Sequence, residues 1–568
     1  MYEPTICRAS AILAAACVAA CSPAEDESSS RVEHAPQTAA APQSCDRTCL
    51  SGFLDRYLEA LVAHDPSRLP LAPDAVFVEN NQRLTIGDGT WRTVTAIGGY
   101  RHDFIDVPAG QAAMIGVVEE NGTRAIYDLR LAVADGKITE IEVLIARDPN
   151  GAALYEQRGM PHEKFRDVVP PDERLSRAEL IAVADKYLSG MERNDPNGDY
   201  SFFHDECDRW EHARQTTNND PEAYGHSTDT VFVTLSCREQ FETGFLGFVT
   251  RIRDRRYAVV DEEHQTVLGF ALLDHNGTIR EIPLSTGTTF VVPPYFSSPR
   301  TLQVVEAWRI EDGKLRQIEM TLTEMPYGTR PVFDSGDDWL ARDAAARQIA
   351  PAPASSEPCD RECLLAIAER TLEALVAHDP ARAPLAPDVR YTENGQDLNP
   401  GDGLWGTVTA RGPDGVFAVN PEEGTVGFFG PIVETDVPGG LALRIAVANG
   451  RITEIEALVF REEAAGERGG TLTLHAPRPT GALDPAAFAQ ARERRMLVND
   501  AERGVALELA LIDAPNDRRA ASGPALPFES AGPYTVMAVQ VRESGEGGAP
   551  RVRTAFRPMP YGARSGWQ

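Results

Sequence analysis

The sequence predicts an α+β protein made of tandem modules, each a long amphipathic helix set against a curved antiparallel sheet. Three observations carry this prediction. The first is a repeat: residues 45–91 and 359–405 align at a constant spacing of 314, through Cys45 and Cys359, His64 and His378, Glu79 and Glu393, Asp88 and Asp402, and Trp91 and Trp405. The alignment resumes at Gly136–Arg147 and Gly450–Arg461, and so extended a match marks a duplication. The second is the start of each copy, where Leu50, Phe53, Leu54, Tyr57, Leu58 and Leu61 recur at steps of three and four, one buried face of a helix. The third is the chain beyond that helix, a series of short apolar or alternating runs separated by Gly and Asp, the pattern of strands and turns. A single long helix needs a sheet wrapped against its apolar stripe.

Taken in order, residues 1–20 read as a signal peptide, because the apolar run Ala9–Ala20 behind Arg8 is too short to span a bilayer as a helix. Val18-Ala19-Ala20-Cys21 resembles the lipobox of bacterial lipoproteins, which implies lipidation of Cys21. Residues 21–43, rich in Ser, Pro, Ala and Glu, have the composition of a flexible tether. Module A is expected over 44–165, with strands in AVFVEN, AAMIGVVEE, AIYDLRLAV and ITEIEVLIAR. Module B, over 166–335, opens with the helix pattern LSRAELIAVADKYLSGMERND and continues with strands in FLGFVTRI, YAVVD, TVLGFALLD, TIREIPL, TLQVVEAWRI and LRQIEMTLTE. An acidic Ala/Pro-rich linker, 336–358, leads to module A′ (359–472) and a shortened B′ (473–568). Met325-Pro326-Tyr327-Gly328 returns as Met559-Pro560-Tyr561-Gly562 at a spacing of 234, so the second copy is about 80 residues shorter than the first. The Cys207 region and the RIRDRR hairpin have no evident counterpart in B′.

Once the leader and Cys21 are set aside, six cysteines remain, an even number suited to disulfides in an oxidising compartment. The natural pairing is Cys45 with Cys49, Cys359 with Cys363, and Cys207 with Cys237, although the sequence alone permits fifteen connectivities. CDRTC and CDREC lack the CxxC spacing and nearby partners of a structural zinc site, so no metal is expected.

The motifs CDRxCL, LAPDxxxxEN, GDGxW, GxITEIE, CRxQFETGF, RIRDRR, VVDEE and MPYG together resemble a poorly characterised two-domain bacterial group of the NTF2-like, SnoaL-type superfamily. The resemblance covers most of residues 45–335 and 359–470. It implies cones of helix and curved sheet that pair through their exposed sheet faces, here as a pseudo-dimer within one chain or in a homo-oligomer. It leaves the activity open, because such cones serve isomerases, dehydratases, cyclases, hydrolases and non-catalytic binders. With the lipobox, it places the chain on the periplasmic side of a bacterial envelope, anchored to the membrane by lipid.

The densest polar stretch, SFFHDECDRWEHARQTTNN, reads as an irregular loop pinned by Cys207. It supplies the expected catalytic set: His212 as base, Asp205 or Glu211 as its orienter or acid, and Arg238 as anion stabiliser. In module A, Glu79, Trp91, Tyr100 and His102 are the expected ligand-binding set, since a carboxylate kept in an apolar cone has a raised pKa and can take a carbon-bound proton. His102 meets Val416 in the second copy, so a mechanism based on it would belong to the first copy alone. RDRRYAVVDEEH, with Asp261 and His264, reads as a solvated hairpin of paired charges. His64 and His378 read as helix-end residues with a capping or dipole role.

With 55 basic against 85 acidic side chains, a net charge of −30, the chain is not expected to bind nucleic acid. The chain has no nucleotide-binding glycine fingerprint, Walker loop, HExxH or nucleophile elbow, and no cofactor is expected. The leading expectation is a cofactor-independent acid–base isomerase, dehydratase or lyase for a small, partly apolar molecule. The competing one is a non-catalytic module that binds a ligand or another protein.

Overall fold

The computed structural model describes residues 45–192, 194–224, 231–293, 296, 299–333, 359–413, 415–461, 493–514, 534–543 and 551–559. The leader, Cys21, the tether and the linker lie outside these. Helix α1 (Arg47–Val62) starts at Asp46, whose carboxylate accepts from Cys49 N at 2.9 Å. Leu50, Phe53, Leu54, Tyr57, Leu58 and Leu61 are all buried. They pack on one face of a six-stranded sheet made of β1 (Leu71–Glu79), β2 (Gln82–Leu84), β3 (Val94–Asp106), β4 (Gln111–Glu120), β5 (Thr123–Ala134) and β6 (Lys137–Ala146). The order is β2-β1-β6-β5-β4-β3, with β1 parallel to β6 and the other pairs antiparallel. Both faces are buried, which explains the weak alternation of β4: in β5, Tyr127, Leu129 and Leu131 meet the helix, while Ile126 and Asp128 face the other way. His64 sits beyond α1 at φ 54° and holds Trp91 O through Nδ1 at 2.7 Å, as His378 holds Trp405 O at 2.8 Å; each clamps a neighbouring turn rather than its own helix end.

A connecting helix, α2 (Pro149–Arg158), leads to α3 (Arg177–Glu192) of module B. Its sheet has the same form: β7 (Phe203–Glu211), β8 (Arg214–Gln215), β9 (Arg251–Asp261), β10 (Thr266–His275), β13 (Arg300–Glu311) and β14 (Lys314–Met325), in the order β8-β7-β14-β13-β10-β9, with β7 parallel to β14. β11 (Glu281–Pro283) and β12 (Thr289–Val291) form a separate hairpin. HDECDRWE, expected as a loop, is strand β7; its charges hide the alternation that turns Phe203 and Cys207 inward. Helix α4 (Cys237–Thr243) opens with a capping box on Ser236. Disulfides join Cys45 to Cys49, Cys207 to Cys237 and Cys359 to Cys363.

The outer faces of the two sheets pack on each other. Tyr100, Ile115, Val117, Ile126 and Leu144 from A meet Val259, Leu268, Phe270, Val305 and Ala307 from B, with Tyr155 and Phe165 from the connecting segment between them. Charged pairs rim this seam: Arg47 with Asp261 at 2.5 Å, Arg256 with Glu142, and Arg177 with Asp106 at 2.5 Å.

The second copy repeats the arrangement in smaller form. A′ carries α5 (Arg361–Val376) and strands β15 (Leu385–Glu393), β16 (Gln396–Leu398), β17 (Val408–Arg411), β18 (Val416–Asn420), β19 (Thr425–Glu434), β20 (Val437–Ala448) and β21 (Arg451–Arg461). B′ is a four-stranded sheet, β22 (Glu493–Asp500), β23 (Val505–Ala514), β24 (Tyr534–Glu543) and β25 (Arg551–Met559), in chain order. These four strands reproduce the order of β9, β10, β13 and β14 and most of their register: Thr266 opposite Asp261 becomes Val505 opposite Asp500, and Thr301 opposite Met325 becomes Thr535 opposite Met559. The hairpin expected to be missing from B′ is therefore present, as Glu493–Asp500. It is hard to read because its spacing from the original is 239, not 234, and only scattered residues are kept. Among them are the docking residues: Arg361 binds Asp500 at 2.8 Å as Arg47 binds Asp261, and Arg495 binds Glu456 at 2.5 Å as Arg256 binds Glu142.

Candidate functional site

A cavity of about 170 Å³ opens in the seam between A and B. It is smaller than the ~300–1,000 Å³ typical of drug-sized ligands. Strand β3 contributes His102, Asp103 and Phe104; the connecting segment contributes Pro161, Phe165 and Arg166; and the end of β9, the turn after it and the start of β10 contribute Asp261, His264 and Thr266. β3 reaches the seam through an irregularity between Ile97 and Arg101. There Gly99 N donates to Glu156 at 2.8 Å, and a Cβ on Gly98 would lie 2.8 Å from Val117 Cβ on the neighbouring strand, so the close approach requires glycine.

His102 is buried between Phe104 and Phe165, its ring centre 4.0 and 4.6 Å from theirs. Its Nδ1 lies 2.9 Å from Glu319 Oε2, while Tyr100 Oη and Arg158 Nη1 donate to Glu319 Oε1 at 2.9 and 3.1 Å. Burial alone would raise the Glu319 pKa; the hydrogen bond and charge of His102, with Arg158 and Tyr100, outweigh it and hold the carboxyl below its ordinary value. The ionised Glu319 accepts a hydrogen bond from His102 Nδ1–H, and Nε2, which has no hydrogen bond among the described residues, belongs to a ring lining the cavity. His264 repeats the design: its Nδ1 lies 3.2 and 3.3 Å from the two oxygens of Asp261. Asp261 is pushed up by burial and brought below its ordinary value by His264 and Arg47. Asp103 is paired with Arg101 at 2.6 and 2.7 Å. Arg166 is exposed and has no ion-pair partner among the described residues. The cavity thus presents two imidazoles braced by carboxylates and one guanidinium. Among the described residues no three His, Cys, Asp or Glu side chains are grouped to hold a metal ion.

The expected catalytic set does not converge. His212, at φ 47° after β7, turns to module A, where Nδ1 lies 3.0 Å from Asp148 and Nε2 accepts from Leu322 N at 3.1 Å. Both nitrogens are engaged, and with Arg214 at 2.7 Å the ring braces the N-cap of α2. Burial raises the Asp148 pKa, but His212, Arg214 and Gly151 N hold it far below the carboxylate range. Glu211 pairs with Arg209 at 3.1 Å, and Arg238 meets Phe203 O at 3.1 Å and the exposed Asp205 at 3.3 Å.

The expected ligand-binding set is divided by its own sheet. Tyr100 and His102 face the seam, whereas Glu79 and Trp91 face α1. Glu79 accepts from Thr90 N at 2.8 Å, and burial raises its pKa to about 7 against the lowering effect of Arg147. Trp91 packs edge-on against Tyr57 at 5.1 Å. The same lattice recurs in A′, where Glu393 accepts from Leu404 N at 3.0 Å and Thr407 donates to Glu434 at 2.5 Å, as Thr93 does to Glu120 at 2.6 Å. This repetition marks the Glu-Asn and Gly-Asp-Gly-x-Trp elements as architecture.

Glu319, Arg158, Phe165 and Arg166 were missing from the sequence-derived set. A signal for Glu319 existed in the repeat: the positions of His102, His264 and Glu319 are taken in the second copy by Val416, Arg503 and Arg553, three changes that the fold gathers at one place.

A family described as a domain of unknown function, DUF8021, matches residues 173–322. No curated protein matches the chain. Similar solved structures include a de novo designed protein with curved beta-sheet, 16% identical over 20% of this chain and 95% of that one, TM-score 0.16. AusH from Aspergillus nidulans is 13% identical over 26% of this chain and 86% of its own, also with TM-score 0.16.

Proposed function

We propose that the seam between A and B is an acid–base site for a small, partly apolar molecule, and that the chain is a cofactor-independent isomerase, dehydratase or other lyase of the bacterial envelope built from NTF2-like cones. The observation that carries this is the difference between the copies. Both keep the ion pairs that dock one sheet on the other, Arg47–Asp261 and Arg361–Asp500, Arg256–Glu142 and Arg495–Glu456. Only the first has the two histidines and Glu319, so docking does not require them. In this reading His102 Nε2 takes a proton from the substrate and Glu319 steadies the imidazolium that forms. His264, braced by Asp261, returns a proton on another side, and Arg166 anchors an anionic group. Helix-then-sheet order supports the cone assignment, and three disulfides suit an oxidising compartment. The lipid anchor at Cys21 is part of the same proposal and is testable by the intact mass of the membrane-bound protein.

The test is exchange of carbon-bound hydrogen. The full mature chain is incubated in D2O with a panel of small 2-oxo and 3-hydroxy acids, and deuterium uptake is followed by NMR. Uptake that is lost in His102→Gln and retained in His212→Gln supports the site. No uptake with any member of the panel, or uptake indifferent to His102, overturns the catalytic reading in favour of a binding module.

A further inference from the structure

The charges and size of the seam cavity restrict the molecule it takes. Two carboxylates line it, and both are compensated within the protein. Asp103 meets Arg101 at 2.6 and 2.7 Å, while the buried Asp261 meets Arg47 at 2.5 Å and His264 at 3.2 Å. Of the Asp and Arg side chains in the lining, Arg166 alone has no ion-pair partner among the described residues. One uncommitted positive charge matches one negative charge on a ligand, and a guanidinium fork fits a carboxylate through two parallel hydrogen bonds. A second negative charge would stand against the carboxylates of Asp103 and Asp261 and be repelled. A neutral ligand would leave the fork without a counter-charge.

The remaining wall is largely apolar. Phe104 and Phe165 flank His102, Pro161 adds a third apolar side chain, and the Thr266 hydroxyl is committed to His264 O at 2.9 Å. Arg166 follows directly on Phe165, whose ring centre is 4.6 Å from that of His102, so the anchor and the imidazole belong to one short stretch of wall. At the ~30 Å³ that a water occupies in the liquid, a cavity of 170 Å³ holds about six non-hydrogen atoms.

We infer that the site takes a short monocarboxylate of about three to five carbons, with its carboxylate on Arg166 and its carbon body against Phe104, Phe165 and Pro161. This rests on the reading of the seam as the ligand site and names what that site accepts. Dicarboxylates, phosphates and neutral molecules of the same shape are discriminated against. In the second copy Val416, Phe417 and Val505 take the places of His102, Asp103 and Thr266, so each chain has a single such site.

Butyrate, which has this size and charge, is titrated into the full mature chain by isothermal titration calorimetry, beside butyramide, malonate, inorganic phosphate and octanoate. The expected result is a single butyrate per chain, bound at least about tenfold more tightly than any of the others and weakened about tenfold or more by Arg166→Gln. Arg124→Gln, which removes an exposed charge outside the lining, is expected to leave butyrate binding unchanged. Comparable or tighter binding of any of the other four, butyrate binding indifferent to Arg166→Gln, or no butyrate binding overturns the inference. The catalytic reading fails separately. Arg166-dependent butyrate binding without deuterium uptake in the 2-oxo and 3-hydroxy acids supports the ligand class and removes the acid–base role, whereas His102-dependent uptake confined to dicarboxylates overturns the class and keeps that role.

Discussion

His102 and Glu319 meet across the seam in one hydrogen bond of 2.9 Å, although 217 residues separate them in the chain. The carboxylate fixes the proton on Nδ1. On the proposed reading Glu319 is a positioning residue, and Glu319→Gln tests it by keeping the size and removing the charge. The expected result is a folded protein with a mixed His102 tautomer by 15N NMR and deuterium uptake reduced about 10²-fold or more. A purely structural Glu319 would leave the tautomer unchanged.

Glu306 is buried in the interior of module B, and desolvation, only partly offset by Arg209 and Tyr187, raises its pKa to about 8. A carboxyl raised in the folded state favours folding below its unfolded value and loses that advantage as pH climbs through the folded one. Between about pH 4.5 and 8 this costs on the order of a few kcal/mol. Glu306→Gln, the residue the second copy carries as Gln540, is expected to raise the melting temperature at pH 8 and change it little at pH 5. Differential scanning calorimetry at the two pH values tests this.

The opposite sign applies to Asp261, Asp274 and Glu319, whose folded values lie below the ordinary range, that of Asp274 at about 2. Their contribution is present above the unfolded pKa, near 4, and is lost as pH falls toward 2. Asp261 and Glu319 stand at the seam, which should therefore lose contacts in acid. Hydrogen exchange of β9 and β14, followed from pH 5 to pH 2.5, should show loss of protection there before the helix-packed core of A.

Cys207 and Cys237 close a stretch of 30 residues, whereas Cys45 and Cys49 are four apart. Chain-entropy reasoning gives the first bond about 3–4 kcal/mol and the second about 2. Denaturant titration of Cys207→Ser/Cys237→Ser should show the larger loss, and Cys45→Ser/Cys49→Ser the smaller.

Much of the framework was legible from the sequence. Helix α1 was readable from Leu50 to Leu61 because one face meets one core, and β5 and β6 because they alternate within apolar runs. Strand β3 was not, since Gly98 and Gly99 mimic a turn and Arg101, His102 and Asp103 mimic a loop. β7 failed for the same reason, and FLGFVTRI was expected as strand although Phe245–Phe248 forms a short 3-10 turn before β9. The site was the least visible part, because His102, His264 and Glu319 become neighbours only when two sheets meet face to face. His102 was singled out by its own residue type; Glu319, between Ile318 and Met320, looked like the polar side of an ordinary strand.

The short disulfides at Cys45–Cys49 and Cys359–Cys363 close the very turns capped by Asp46 and Asp360. Each stands at the N-terminal end of the first helix of its copy. A pull applied to the backbone at Cys45 or Cys359 therefore meets a covalent ring before it meets a hydrogen bond, and cannot unwind α1 or α5 from its first turn. The load passes instead to Leu50 or Leu364, buried directly beyond the ring, and is shared by the whole core. In mechanical terms the first helix of each copy has a reinforced eyelet at its start.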